Sequence, residues 1–289
     1  MVATLFTAVF AMAILLLGLA GLLVIADRWF AVIEDPRIEI VESMLPATNC
    51  GGCGHPGCRA FAEALVAGAA EPAGCAVSPP SEQARIAEFL GVAVGSIEKR
   101  VARLACAGGD NVAPRRARYR GLRSCAAAAL VAGGGKSCFW GCLGLADCQT
   151  ACTFAAIAMD NYQLPVVDPQ KCTACGDCVV ACPKDLFSLQ AIGNRLWVAC
   201  RSRDAGDQVL EECRVGCTAC GRCALDAPDH VRMVGNLPVV NYDRGNLSPL
   251  ATQRCPTGAI LWLDDDLGPI KGRAAAPVLR RTPLPDVAS

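Results

Sequence analysis

Residues 171–186 read KCTACGDCVVACPKDL. Cys172, Cys175, Cys178 and Cys182 thus stand at C-x2-C-x2-C-x3-C with Pro183 directly behind. This is the bacterial ferredoxin run. Three close thiolates wrap three corners of an iron–sulfur cubane, and the fourth, turned away by the proline, reaches a neighbouring cubane. Zinc ribbons also use C-x2-C pairs, but seldom four cysteines this crowded with a terminal proline. The run therefore asks for a ferredoxin-like module and for a partner run.

The partner lies upstream as Cys142-x5-Cys148-x3-Cys152, with Leu145 where a middle cysteine would stand. One ligand is missing, and Cys138, four residues before Cys142, is the nearest substitute. The spacing thus predicts one cluster on Cys138, Cys142, Cys148 and Cys182, and a second on Cys152, Cys172, Cys175 and Cys178. Phe154 and Ile157 after the first run, and Leu186 and Phe187 after the second, are expected to cover the cubanes. Ordinary core packing is an equally compatible role for them.

A weaker copy of the pattern follows. Ala105-Cys106 and Ala199-Cys200 each lead to a Cys-x-x-Gly-Cys element, Cys138–Cys142 and Cys213–Cys217, and each element opens a ferredoxin-like run. In the copy, Cys217, Cys220 and Cys223 are followed by Ala227-Pro228, and the returning run ends at Cys255-Pro256. Gly245, Ser248 and Ala251 occupy its other positions. By the crossed-ligand rule Ala227, Gly245, Ser248 and Ala251 would all serve one cluster. A whole ligand set is absent together while the other, Cys217, Cys220, Cys223 and Cys255, is intact. This half is expected to hold one cluster and an empty second lobe; a lone Ser248 is no substitute for four thiolates.

Near the N-terminus, residues 49–58 read NCGGCGHPGC, with Cys75 beyond a short helix expected over Arg59–Ala67 and closed by Gly68. Cys50, Cys53, Cys58 and Cys75 form a further four-cysteine set, with glycines that let the backbone turn tightly and aim N–H groups at sulfur. His55 is read as a surface or hydrogen-bonding residue rather than a ligand. Beyond Pro80 the pattern is helical to about Leu104, interrupted near Gly91–Gly95. Cys106, Cys125, Cys200 and Cys213 remain, either as free buried thiols or as a fifth site.

Twenty of 289 residues are cysteine, two are histidine (His55 and His230), and 27 basic residues balance 27 acidic ones. The neutral balance argues against nucleic-acid binding, and the near absence of histidine argues against His-rich metal sites. No G-x-G-x-x-G opens a βαβ unit, so no dinucleotide domain is expected. Gly133-Gly134-Gly135-Lys136-Ser137 resembles a phosphate loop only superficially. Val2–Ala26 is uncharged and long enough to cross a bilayer. It has neither the basic start nor the cleavage site of a secretory signal. Arg28 and Arg37 behind it place the C-terminal bulk in the cytoplasm, where ten structural disulfides are disfavoured.

Taken together, the apolar segment, NCGGCGHPGCRAFAEAL with its distal Cys75, KSCFWGCLGLADCQTAC and KCTACGDCVVACPKDL resemble the B-subunit family of the Rnf electron-transport complexes, over roughly Met1–Ile260. The resemblance implies a multi-cluster [4Fe–4S] subunit anchored in the cell inner membrane by one helix. It further implies work beside other Rnf subunits, with ferredoxin or a similar low-potential carrier as partner, in an ion-translocating ferredoxin:NAD+ oxidoreductase. The second half departs from longer members, which complete both clusters. The rivals are the cluster subunit of another membrane oxidoreductase, a zinc scaffold and a disulfide-rich extracellular protein.

The expected fold is α+β: a transmembrane helix, a small helical four-cysteine unit and two ferredoxin-like βαβ-type, loop-rich modules, with four clusters and a fifth if the leftover cysteines bind one. The expected division is an anchor at 1–30, an N-terminal cluster domain at 31–80, a linker with helical pattern at 81–135, a two-cluster domain at 136–199, a one-cluster domain at 200–263 and a flexible tail at 264–289.

Overall fold

The computed structural model describes residues 2–30, 34–245 and 247–276. Helix α1 (Val2–Phe30) is apolar through Ala26, and no residue of its Val9–Phe30 segment is buried against the rest of the chain. At 1.5 Å per residue it is about 43 Å long, which exceeds a hydrocarbon core of about 30 Å.

A small helical unit follows. Helix α2 (Pro36–Met44) starts where the Asp35 carboxylate accepts the Arg37 N–H, with Pro36 pre-set for the first turn. In α3 (Cys58–Val66) the spacing of Phe61, Ala62 and Leu65 gives one apolar face. That face packs on Val41, Leu45 and Ile86, the last from α4 (Pro80–Leu90). Gly68 follows α3 at φ +71°, as the sequence leads one to expect. Gly91 ends α4 in the left-handed region.

The remainder is one motif built twice. The first copy runs β1 (Arg100–Leu104), α5 (Cys125–Ala129), α6 (Asp147–Ala151), β2 (Ile157–Met159), β3 (Pro165–Val167), α7 (Asp177–Ala181) and β4 (Phe187–Ala191). Its strands pair antiparallel as β1 with β4 and β2 with β3. The second copy runs β5 (Leu196–Val198), α8 (Gln208–Glu212), α9 (Arg222–Asp226), β6 (Val231–Val234), β7 (Leu237–Val240), a 3-10 turn at Pro249–Thr252 and β8 (Ile260–Asp264). Here β5 pairs with β8 and β6 with β7. The 3-10 turn stands where α7 stands in the first copy.

Two expectations change. The sequence pattern predicts helix again after Gly95, yet Arg100–Leu104 is a strand. Pairing with Phe187–Ala191 buries Val101 and Ala102, and so distant a partner leaves no trace in local periodicity. The tail expected to be mobile from Asp264 instead begins with β9 (Gly268–Lys271), the third strand of the β5–β8–β9 sheet. Residues 277–289 of that expected tail lie outside the described residues.

Candidate iron–sulfur sites

The run loops repeat one backbone trajectory. Gly144, Ala174 and Ala219, each two residues after a run's first cysteine, all have positive φ, at 73°, 58° and 57°. Ala146, Gly176 and Gly221 cap α6, α7 and α9 from the left-handed region. An alanine in that region is uncommon; the strain recurs at matching places because the loop must curl its N–H groups inward. Backbone N–H groups from the segments after each run, and from β1, also reach sulfur. Ala156 N–H donates to Cys152 Sγ at 3.3 Å, Leu186 N–H to Cys182 Sγ at 3.5 Å and Ala102 N–H to Cys172 Sγ at 3.4 Å.

Four cavities, each lined by four cysteines, result. Cys152, Cys172, Cys175 and Cys178 line one. Cys217, Cys220, Cys223 and Cys255 line another. Both quartets are those the run spacing predicts. The third is lined by Cys125, Cys142, Cys148 and Cys182. Cys125, not Cys138, therefore stands with this quartet. The Asp147 carboxylate accepts the Ser124 hydroxyl at 2.8 Å and the Ala126 N–H at 3.0 Å, and so pins the start of α5 beside α6. Cys125 enters the place that Leu145 leaves without a thiol. Cys138 lines the fourth cavity, with Cys106, Cys200 and Cys213.

In the N-terminal unit Cys53 lies within electrostatic reach of Cys50 and Cys75, and Cys53, Cys58 and Cys75 share the apolar cluster of α2–α4. The Asn49 side chain accepts the Cys58 N–H at 2.8 Å, fixing the loop. His55 stacks tilted on Phe61 with ring centroids 5.5 Å apart, a packing role.

The sites abut in one row. A Cβ on Gly52, between Cys50 and Cys53, would lie 2.5 Å from the Thr173 carbonyl oxygen, between Cys172 and Cys175. Cys148, Cys152, Cys172, Cys178 and Cys182 share one apolar cluster, so the two quartets of the first copy adjoin. Cys142 N–H donates to Cys106 Sγ at 3.5 Å, and Cys217 N–H to Cys200 Sγ at 3.3 Å. Each of these bonds links one quartet to the next.

The empty lobe is filled by its own side chains. Ala251 is fully buried, and Ala227 and Leu247 pack in the same apolar cluster. Ser248 spends its hydroxyl as a cap, accepting the Leu250 N–H at 3.4 Å. Lys136, set aside in the sequence, proves to be a buried cation: its ammonium donates to the Gly108 and Cys142 carbonyls and lies 3.9 Å from the Asp110 carboxylate.

Burial, and then the crowding of a neighbouring thiol, pushes Cys138, Cys142, Cys178 and Cys213 up to about 12. Burial first and then Cys125 push Cys148 up to about 11. Buried, crowded thiols give up their protons readily only to a bound metal centre. Four thiolates on one zinc ion would stand about 3.8 Å apart. Among the described residues no three His, Cys, Asp or Glu side chains converge closely enough to hold a single metal ion. Quartets spread around a shared cavity, with N–H groups aimed at sulfur, suit a cubane instead.

Ferredoxin-type loops carrying such quartets define an iron–sulfur electron-transfer protein that binds [4Fe–4S] clusters. Family models agree: an Fe–S cluster model matches residues 45–77, and a 4Fe–4S binding domain model matches 164–189. The chain is 39 % identical over 251 residues to the B subunit of the Na+-translocating ferredoxin:NAD+ oxidoreductase complex of Acetobacterium woodii, covering 85 % of this chain and 75 % of that one. It is 37 % identical over 251 residues to the B subunit of the proton-translocating ferredoxin:NAD+ oxidoreductase complex of Clostridium ljungdahlii, covering 85 % and 88 %. It is 34 % identical over 240 residues to the B subunit of the ion-translocating oxidoreductase complex of Methanosarcina acetivorans, covering 83 % and 91 %. The chain belongs to this family, the B subunits of Rnf complexes, and is an iron–sulfur electron-transfer subunit associated with the membrane.

Proposed function

We propose that this chain relays electrons between ferredoxin, or a similar low-potential carrier, and the membrane subunits of an Rnf-type ion-translocating ferredoxin:NAD+ oxidoreductase. The observation that carries the reading is the row of adjoining cysteine quartets. Cys50, Cys53, Cys58 and Cys75 would hold the first cluster, Cys152, Cys172, Cys175 and Cys178 the second, Cys125, Cys142, Cys148 and Cys182 the third, and Cys217, Cys220, Cys223 and Cys255 another. Bound there, [4Fe–4S] clusters supply one-electron redox chemistry at low potential.

The chain's own residues do the rest. The thiols bind, the left-handed loops hold N–H groups against sulfur, and β1 to β8 fix the separations. Apolar side chains such as Phe187 and Ile260 exclude water. Helix α1 anchors the chain in the cell inner membrane, with Arg28 and Arg37 holding the bulk on the cytoplasmic side. The nicotinamide chemistry falls to another subunit, since this chain carries no dinucleotide-binding motif.

Rapid mixing tests the reading. Reduced ferredoxin is mixed anaerobically with the oxidised full chain in detergent, and the visible absorbance of both is followed. Bleaching of the chain with matching reoxidation of ferredoxin is expected. No transfer to a chain with full iron content would overturn ferredoxin as the partner.

A further inference from the structure

Cys106, Cys138, Cys200 and Cys213 are the four cysteines that no ferredoxin run uses, and the fold brings them to one place. Cys106 and Cys200 follow β1 and β5. Cys138 and Cys213 open the two Cys-x-x-Gly-Cys loops. Each copy of the motif thus gives two cysteines from equivalent positions. The copies are also tied there directly, by Ala107 N–H to Ala199 O at 3.0 Å and by Trp197 Nε1–H to Leu104 O at 2.9 Å.

The surroundings repeat the features of the run quartets. The four thiols line one cavity, as do those of each run quartet. Every thiol accepts the N–H two residues on. Gly108 donates to Cys106 and Ser202 to Cys200, both at 3.4 Å; Trp140 donates to Cys138 and Val215 to Cys213. Cys142 and Cys217 have the same arrangement with Gly144 and Ala219. A Cβ on Gly108 would lie 3.1 Å from Cys213 Sγ and 3.6 Å from Cys106 Sγ, so only glycine leaves this wall clear. Free buried thiols need neither the matched positions nor a ring of donors.

We infer that Cys106, Cys138, Cys200 and Cys213 form a further [4Fe–4S] site at the junction of the two copies, which joins the two halves of the chain electronically. Cys106 and Cys200 meet the neighbouring quartets through the single backbone N–H groups of Cys142 and Cys217, giving a short route on each side. A cluster held there would supply one-electron chemistry between the sites of the two halves, with the thiolates serving only as ligands. No proton moves and no bond breaks. The inference rests on reading the other quartets as [4Fe–4S] sites.

The test is iron and acid-labile sulfide per chain, with zinc, in the anaerobically purified full chain and its serine variants. Wild type is expected to carry about twenty irons and Cys213→Ser about sixteen, four fewer for one lost site. Cys138→Ser/Cys213→Ser should lose no more than Cys213→Ser alone, whereas Cys125→Ser/Cys213→Ser should lose about eight, two sites' worth. About sixteen irons in wild type, or an unchanged count in Cys213→Ser, would overturn the junction site while leaving the other four. If Cys138→Ser/Cys213→Ser loses about eight, the grouping is overturned. Should the variants fail to fold, the wild-type count alone decides. Little iron anywhere, with zinc in its place, would instead defeat the reading of all the quartets.

Discussion

The two halves share one topology but treat their second lobes differently. In the first half α6 and α7 each carry a buried cysteine, Cys148 and Cys178, and the lobes share an apolar cluster with thiols at its centre. In the second half the 3-10 turn Pro249–Thr252 replaces α7, and Ala251 and Thr252 are buried where a cluster would sit. The backbone course survives because apolar packing takes over the space. The thiols disappear as a complete set because buried thiols left without a metal centre would be crowded, protonated and useless. The halves differ in charge as well. Lys136, two residues before Cys138, is buried, whereas its counterpart Glu211, two before Cys213, is exposed.

The sharpest way to break this comparison is to exchange treatment between equivalent positions. Cys175→Ser should remove about four irons, one site's worth, while Ser248→Ala, at the matching position of the second half, should remove none; iron analysis of the two purified variants decides. Next in size is Lys136→Met. It strands the Gly108 and Cys142 carbonyls, at about 1–3 kcal/mol each, and deletes a cation beside two quartets. Stability should fall by about 2–6 kcal/mol on those figures, and the midpoint potential of the bordering sites should become more negative, since a nearby positive charge favours the reduced state. A redox titration followed by EPR gives the sign.

Ala251→Leu overpacks the filled lobe and should cost about 1–3 kcal/mol without loss of iron. Chemical denaturation paired with iron analysis would show it, and iron loss would mean that the lobe is not independent of the Cys255 site. The smallest effect belongs to Ser248→Ala itself, about 0.5–1 kcal/mol for one lost cap, read as a shift in the denaturation midpoint.

How much of this was legible in the sequence follows from how local each cue is. The quartets of Cys172 and Cys217 could be read directly, because run spacing encodes which thiols meet. The choice between Cys125 and Cys138 could not. Leu145 removes the local cue, and the replacement is delivered by Asp147 gripping Ser124 and Ala126 across a loop. Proximity in sequence favoured Cys138, but its loop turns it toward the junction. The one usable signal was the repeat itself: Cys138 and Cys213 are equivalent positions, and a site shared by the two copies draws equivalent residues from both. Strand β1 was hidden for a related reason, since its partner β4 lies beyond the whole first set of loops. Lys136 looked like an imitation phosphate loop, and only its burial reveals a buried cation between quartets.

The central claim is that these cysteines hold [4Fe–4S] clusters throughout, so that the chain carries electrons along its length. Mössbauer spectroscopy of the full chain, grown on isotopically enriched iron and assayed for zinc in the same sample, tests this most directly. The account predicts that all the iron appears in [4Fe–4S] centres, with no zinc at stoichiometric level. Zinc at about one ion per cysteine quartet, with little iron, would contradict it.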